Sequence, residues 1–183
     1  LDLIRPDSGR LRVLGIDPQA DPVAVCRSTG YLPGELSLDD NLTPAQMLRL
    51  FGKLRGAGHS PKRLSELADR LQLDLNKPIK NLSKGNKQKV GVIQAFVHQP
   101  ELLLLDEPTA GLDPLMQKEV VALVREAKDS GATVFFSTHI LSEAQEVSER
   151  VAILRKGAIV ETSDTTSLIS KSVSHVEIRL EVP

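Results

Sequence analysis

Four consecutive leucines, Leu102 to Leu105, run straight into two adjacent carboxylates, Asp106 and Glu107, and no other stretch constrains the fold as much. A short, wholly apolar run after Pro100 predicts a strand buried on both faces, the form strands take in parallel sheets. The residues beyond it alternate in type: a helix from Pro114 to about Ser130, a strand from Thr133 to Ser137, and a short helix through LSEAQEVSER. A strand from Val151 to Leu154, a turn at Lys156-Gly157 and a strand from Ala158 to Glu161 complete the series. Such alternation predicts an α/β fold with a mostly parallel sheet covered by helices on both faces.

Upstream, the turn at Asp7-Ser8-Gly9 predicts a short strand around Leu11 to Leu14, and TGYLPG ends another strand near Leu32. The period changes at Thr43. Met47, Leu48, Leu50, Phe51 and Leu54 fall at helical spacing behind a Thr43 N-cap and Pro44. Ser60 and Pro61 repeat that start, followed by the apolar stripe Leu64, Leu67, Ala68 and Leu71. About forty residues from Thr43 onward are therefore expected to be purely helical. LDLIRP reads as the last turn of a helix, and SVSHVEIRLEVP as a strand still forming, so the chain is expected to be a piece of a longer one.

In an open parallel sheet, ligands bind beyond the carboxyl ends of the strands, and the leucine run delivers Asp106 and Glu107 to that edge. Neighbouring carboxylates repel unless they share a cation or a proton. Mg2+ meets that need through one or two carboxylates and substrate phosphates, leaving the other acid to orient a water. Solvated acids at a strand end are the plain alternative. Ser83 reads as an N-cap and Gly85 as part of the first turn of a helix carrying Val90, Ile93 and Val97, a place where backbone N–H groups can receive phosphate. His139 ends the strand VFFSTH near the same edge, where a lone histidine is also an ordinary structural residue. With 24 acidic against 23 basic side chains, the charge of −1 gives no global pull toward nucleic acid. A lone cysteine, Cys26, excludes an internal disulfide framework and fits a reducing compartment. No apolar run approaches the ~20 residues that span a bilayer.

The order of these pieces resembles the nucleotide-binding subunit of ATP-binding-cassette (ABC) transporters over essentially the whole chain. LSKGN resembles the signature LSGGQ, LLLLDEP resembles Walker B with its following glutamate, AGLD resembles the D-loop, and STH resembles the switch histidine. The resemblance implies a P-loop NTPase (RecA-like) fold with its N-terminal part missing, residues 1–162 forming a partial nucleotide-binding domain with an inserted helical subdomain at about 43–98 and a Walker B to switch region at 100–162, and 163–183 starting an extension. It implies ATP and Mg2+ as ligands, Asp106 holding Mg2+, Glu107 as general base and His139 on the γ-phosphate. Ser83, Lys84, Gly85 and Asn86 would meet the γ-phosphate of ATP on a second nucleotide-binding domain, and Asp113 would sit in the loop that crosses between the two. Asp113 followed by Pro114 is equally a good helix start. The implied partners are that second domain and a transmembrane permease, with no nucleic acid, and the implied place is the cytoplasmic face of the membrane.

Departures from the family pattern are specific. Lys84 and Asn86 replace glycine and glutamine of the signature. Where a glutamine-bearing loop belongs, GYLPGEL offers Gly34, with Glu35 beside it as a substitute acid or a solvated one. No GxxxxGK[ST] occurs: the Gly52-Lys53 pair is followed by Leu54 and lies in a predicted helix. The loop is expected upstream of Leu1, and the chain by itself is expected not to hydrolyse ATP. YLPGE, LSKGNKQKV and GLDPLMQ look most like bacterial multidrug and antibiotic-resistance exporters. A soluble cassette ATPase acting on ribosomes or DNA would share the motifs, but its coiled-coil insertion or paired cassettes are not seen. A catalytically dead partner module would not need Glu107 and His139.

Overall fold

A computed structural model describes residues 7–56 and 60–165. Two compact units are present, one ending at His139 and the other beginning at Ile140.

The first unit is built on three parallel strands, β1 (Thr29–Leu32), β2 (Leu102–Asp106) and β3 (Thr133–Ser137), in the order β1-β2-β3. Leu32 pairs with Leu105, Leu105 with Phe136 and Asp106 with Ser137, so the strands' carboxyl ends share one edge. With them come α1 (Pro22–Ser28), α2 (Pro44–Leu54), α3 (Pro61–Arg70), α4 (Lys84–Phe96) and α5 (Pro114–Asp129), and a 3-10 turn at Ile79–Asn81.

Gly30, Leu32, Leu103 and Leu105 share the sheet face that meets α4, whose Val90, Val92, Ile93 and Phe96 are buried with them. A Cβ on Gly30 would run into the backbone carbonyl of Ala95, so helix and strand meet backbone to backbone there. The strand order advances in one direction, and right-handed crossovers through α4 and then α5 put both helices on one face. The helices expected on both faces therefore cover one well. On the other face, Tyr31, Leu102 and Leu104 are half-buried and Phe135 is 70% exposed.

The expected strand at Leu11 to Leu14 does not form. Val13 and Ile16 exchange two 2.9 Å backbone hydrogen bonds around a tight turn in which Leu14 and Gly15 have φ of 52° and 79°. Leu11 and Leu14 point to solvent, because an alternating segment without a neighbouring strand has nothing to pair with. Through the region expected to be helical run α2, α3, the 3-10 turn and α4. Thr43 closes a reciprocal capping box with Gln46, at 3.3 Å to the Gln46 N–H and 2.9 Å back to the Thr43 N–H. Ser60 occupies the N-cap of α3 but makes no side-chain cap bond, so Pro61 alone marks that start.

Arg70, the last residue of α3, ties that helix to α5. Its Nε donates to Glu119 at 2.6 Å, and its two terminal nitrogens donate to both Glu126 oxygens at 2.6 and 2.7 Å. These hydrogen bonds hold the Glu126 carboxyl below its ordinary pKa, partial burial opposing them. Bidentate geometry lifts the clamp above the usual surface pair, so Arg70→Met is expected to cost about 1 kcal/mol at pH 7. Because the carboxyl pKa is depressed on folding, the Glu126 share is present above its unfolded value and lost as pH falls through the folded one. Urea midpoints of parent and variant should draw together as pH falls below the ordinary carboxylate range, and also in about 1 M salt.

The second unit contains α6 (Leu141–Val147) and an antiparallel hairpin of β4 (Arg150–Arg155) and β5 (Ala158–Asp164). Lys156 and Gly157, with φ of 51° and 77°, form its two-residue turn, as the dipeptide predicts. β5 runs past the expected end at Glu161 because its pairing continues to Arg150 and Asp164. LDLIRP and the strand expected near Val176 to Val182 lie outside the described residues. Among the described residues, no helix is long and apolar enough to cross a membrane.

Candidate functional site

The carboxyl ends of β2 and β3 bring three of the expected residues together. Asp106 is the last residue of β2, Glu107 follows it, and His139 lies two residues past β3. His139 Nδ1 is 3.1 Å from Glu107 Oε1, with the two side chains 71% and 43% exposed, so a ligand in solvent can reach both. Glu107 has φ of +45°, a left-handed conformation that costs energy for a residue with a Cβ and recurs at functional sites. This bend turns its carboxylate out of the strand's alternation and toward His139.

Ser137 holds the junction. Its hydroxyl donates to Asp106 Oδ1 at 2.5 Å and accepts the Glu107 N–H at 3.0 Å. One oxygen thereby fixes the first carboxylate and the backbone of the second. In sequence Ser137 is a strand end and the first residue of STH, with no role of its own; its signal lies in the register that sets it opposite Asp106.

Asp106 is exposed and offers hard oxygen donors, with Glu107 beside it. Among the described residues no group of three or more His, Cys, Asp or Glu could hold a metal. That donor set suits Mg2+, which needs few protein ligands when phosphates supply the rest, better than Zn2+. Gly34 reaches the same spot: a Cβ there would come within 2.7 Å of Asp106 Oδ2. A longer side chain at position 34 would displace the carboxylate, so glycine in this slot is fitted to Asp106. Glu35, next to it, is exposed.

The second cluster is the start of α4. Ser83 Oγ accepts the Asn86 N–H at 3.2 Å, confirming the N-cap. Ser83 and Lys84 are exposed, whereas Gly85 and Asn86 are half-buried. Gly85 packs on the loop after Glu107, where an added Cβ would meet the Gly111 carbonyl oxygen at 2.7 Å. Asp113 caps α5, accepting the N–H groups of Leu115 and Met116 at 3.0 and 3.1 Å, so its ordinary helix-start role is present. Gln88, also unnoticed in the sequence, is buried and donates to the carbonyls of Glu107 and Pro108 at 3.1 and 3.3 Å. The helix start and the strand-end cluster are thus joined through the 107–112 loop.

The family profile for ABC transporters matches residues 1–110. The chain is 34% identical over 178 residues to the daunorubicin/doxorubicin resistance ATP-binding protein DrrA of Streptomyces peucetius, covering 95% of this chain and 54% of that protein. It is 33% identical to the bacitracin transport ATP-binding protein BcrA of Bacillus licheniformis, covering 98% and 60%. The chain therefore spans little more than half the length of these relatives. A solved ATP-binding subunit of an ABC transporter superposes with a TM-score of 0.83 at 29% identity, over 93% of this chain and 72% of that one. The dimeric post-hydrolysis state of the ATP-binding cassette MJ0796 bound to ADP and Pi superposes at 0.78, covering 89% and 76%, and at 23% identity shares the fold. Profile, relatives and fold agree with the motif order along β2, β3 and α4: this chain belongs to the ABC transporter family.

Proposed function

We propose that this chain is the larger part of an ATP-hydrolysing subunit that drives export of a drug, antibiotic or lipid across a membrane. The observation that carries the reading is the 3.1 Å contact of Glu107 and His139 beside Asp106, at the ligand-binding edge of a parallel sheet. Glu107 accepts a proton from water as the water oxygen attacks the γ-phosphorus, and the bond to the β-phosphate oxygen breaks to give ADP and phosphate. His139 orients the water and the γ-phosphate, and Ser137 keeps Asp106 and Glu107 in register. Asp106 would hold Mg2+, which neutralises phosphate charge when bound.

Ser83, Lys84, Gly85 and Asn86 present the start of α4 to the γ-phosphate of ATP held by a second nucleotide-binding domain, and Asp113 lies in the loop facing it. ATP bridges the pair and ADP does not, so hydrolysis reopens it. The helical region 43–98 passes the movement to a transmembrane permease, which places the subunit at the cytoplasmic face of the membrane. Residues 1–162 act as the nucleotide-binding part and 163–183 begin an extension. The names of DrrA and BcrA, a drug-resistance protein and an antibiotic-transport protein, support the exporter reading.

Without a GxxxxGK[ST] loop the 183 residues lack a backbone cradle for the triphosphate, so we propose that they act within a longer polypeptide that has one. Reading the coding sequence upstream of Leu1 tests this: the loop is expected within roughly fifteen residues. Its absence would remove ATP hydrolysis and leave a partner-binding module.

A further inference from the structure

Glu107 occupies a backbone conformation that its own sequence does not favour. Its φ is +45°, and neither neighbour, Asp106 nor Pro108, is a glycine that could absorb the bend. Such a conformation persists when surrounding groups over-determine it. Three contacts do so here. Ser137 Oγ accepts the Glu107 N–H at 3.0 Å, Ala110 N–H donates to the Glu107 carbonyl at 3.1 Å, and Gln88 Nε2 donates to that same carbonyl at 3.1 Å. Gln88 adds a longer bond to the next carbonyl, Pro108, at 3.3 Å.

Gln88 differs from the other two in where it comes from. It is 8% exposed on α4 and reaches across 19 residues of sequence to the 107–108 backbone. A buried glutamine needs partners for its amide, and the two carbonyls are those partners. α4 lies against β1 at Gly91, where an added Cβ would meet Leu32, and at Ala95, whose carbonyl faces Gly30, and with Val90, Val92 and Ile93 fully buried it forms a rigid post. Gly85, one turn earlier on the same helix, already lies against the Gly111 carbonyl, so α4 braces both ends of the loop.

We propose that Gln88 is a positioning residue for the reaction: its amide holds the Glu107 carbonyl, which keeps the left-handed backbone and aims the Glu107 carboxylate at His139 and the attacking water. This rests on the role proposed above for Glu107. The Gln88 amide nitrogen is engaged by the two backbone carbonyls, so it acts through Glu107. Losing it leaves the Glu107 carbonyl with its Ala110 bond and frees the peptide to rotate, moving the carboxylate while the chain stays folded.

The test uses Gln88→Met, nearly the same length without a donor, and Gln88→Leu as a second packing-compatible variant. In isotope-labelled 183-residue chain, the amide-to-α-proton coupling and Cα shift of Glu107 should report left-handed backbone in the parent and averaged backbone in both variants. The Ala110 amide should exchange about tenfold faster in the variants, since its acceptor is no longer braced. In the longer polypeptide, kcat for ATP should fall about ten- to a hundredfold with KM for ATP unchanged, the signature of a misplaced catalytic group. Unchanged Glu107 signals in both variants, or unchanged kcat, would overturn the proposal. If the parent polypeptide hydrolyses no ATP at all, the reading of Glu107 as a base fails instead, and the backbone signals still decide what Gln88 holds.

Discussion

Glu107→Gln in the longer polypeptide is expected to lower kcat for ATP by about 10²- to 10⁴-fold, the usual worth of a positioned general base. The amide preserves the size of the side chain and an oxygen that can still meet His139 Nδ1, now 3.1 Å from Glu107 Oε1. The geometry of the pocket should therefore survive while the ability to take a proton is lost. KM for ATP should stay within about twofold, because uniform binding is untouched. ATP should still draw two nucleotide-binding domains together, and the complex should persist because the γ-phosphate is not removed. Steady-state phosphate release with size-exclusion chromatography in ATP reads both effects. Full turnover by the variant would leave Glu107 a solvated acid at a strand end.

The largest expected loss of stability comes from Gly30→Val. The Gly30 position faces the Ala95 carbonyl, the Leu103 side chain at 2.7 Å and the Pro100 ring at 2.8 Å, measured from an added Cβ. The carbonyl is main chain in a buried helix and cannot swing away, so α4 must lift off β1 or the strand must bend. Either movement opens the core formed by Leu32, Leu103, Val92 and Ile93. A cost of about 3 kcal/mol or more follows from overpacking of this kind, and it would consume a large share of a typical domain's stability. The urea midpoint should drop by about 1.5 M for a slope near 2 kcal/mol per molar. A midpoint within experimental error of the parent would mean that α4 does not rest on the strand backbone.

Elements were legible where one local signal coincided with burial. β2 was plain because four leucines end at a charged pair, and α2 because a capping residue and a proline precede helically spaced apolar residues. α1 went unseen: seven residues with only Val25 buried give no periodicity, and the helix depends on Asp21 capping Ala24 N–H at 2.9 Å. The false strand at Leu11 to Leu14 shows the reverse limit, since alternation describes a side-chain pattern but not a partner, and Leu14-Gly15 turns the chain instead. In the site, Asp106, Glu107 and His139 could be gathered from their places at strand ends. Ser137 and Gln88 could not, because their importance lies in a strand register and in a side chain crossing to a distant backbone. The fit of Gly34 to the Asp106 carboxylate was hidden in the same way: in sequence it looked only like a missing glutamine.

Magnesium-dependent phosphate release from ATP, measured on the longer polypeptide and on the 183-residue chain side by side, tests the central claim most directly. The account predicts turnover by the longer polypeptide, on the order of 1 per second or faster, and none above background by the chain alone, which has no GxxxxGK[ST] loop. Turnover by the chain alone, or none by the longer polypeptide, would contradict it.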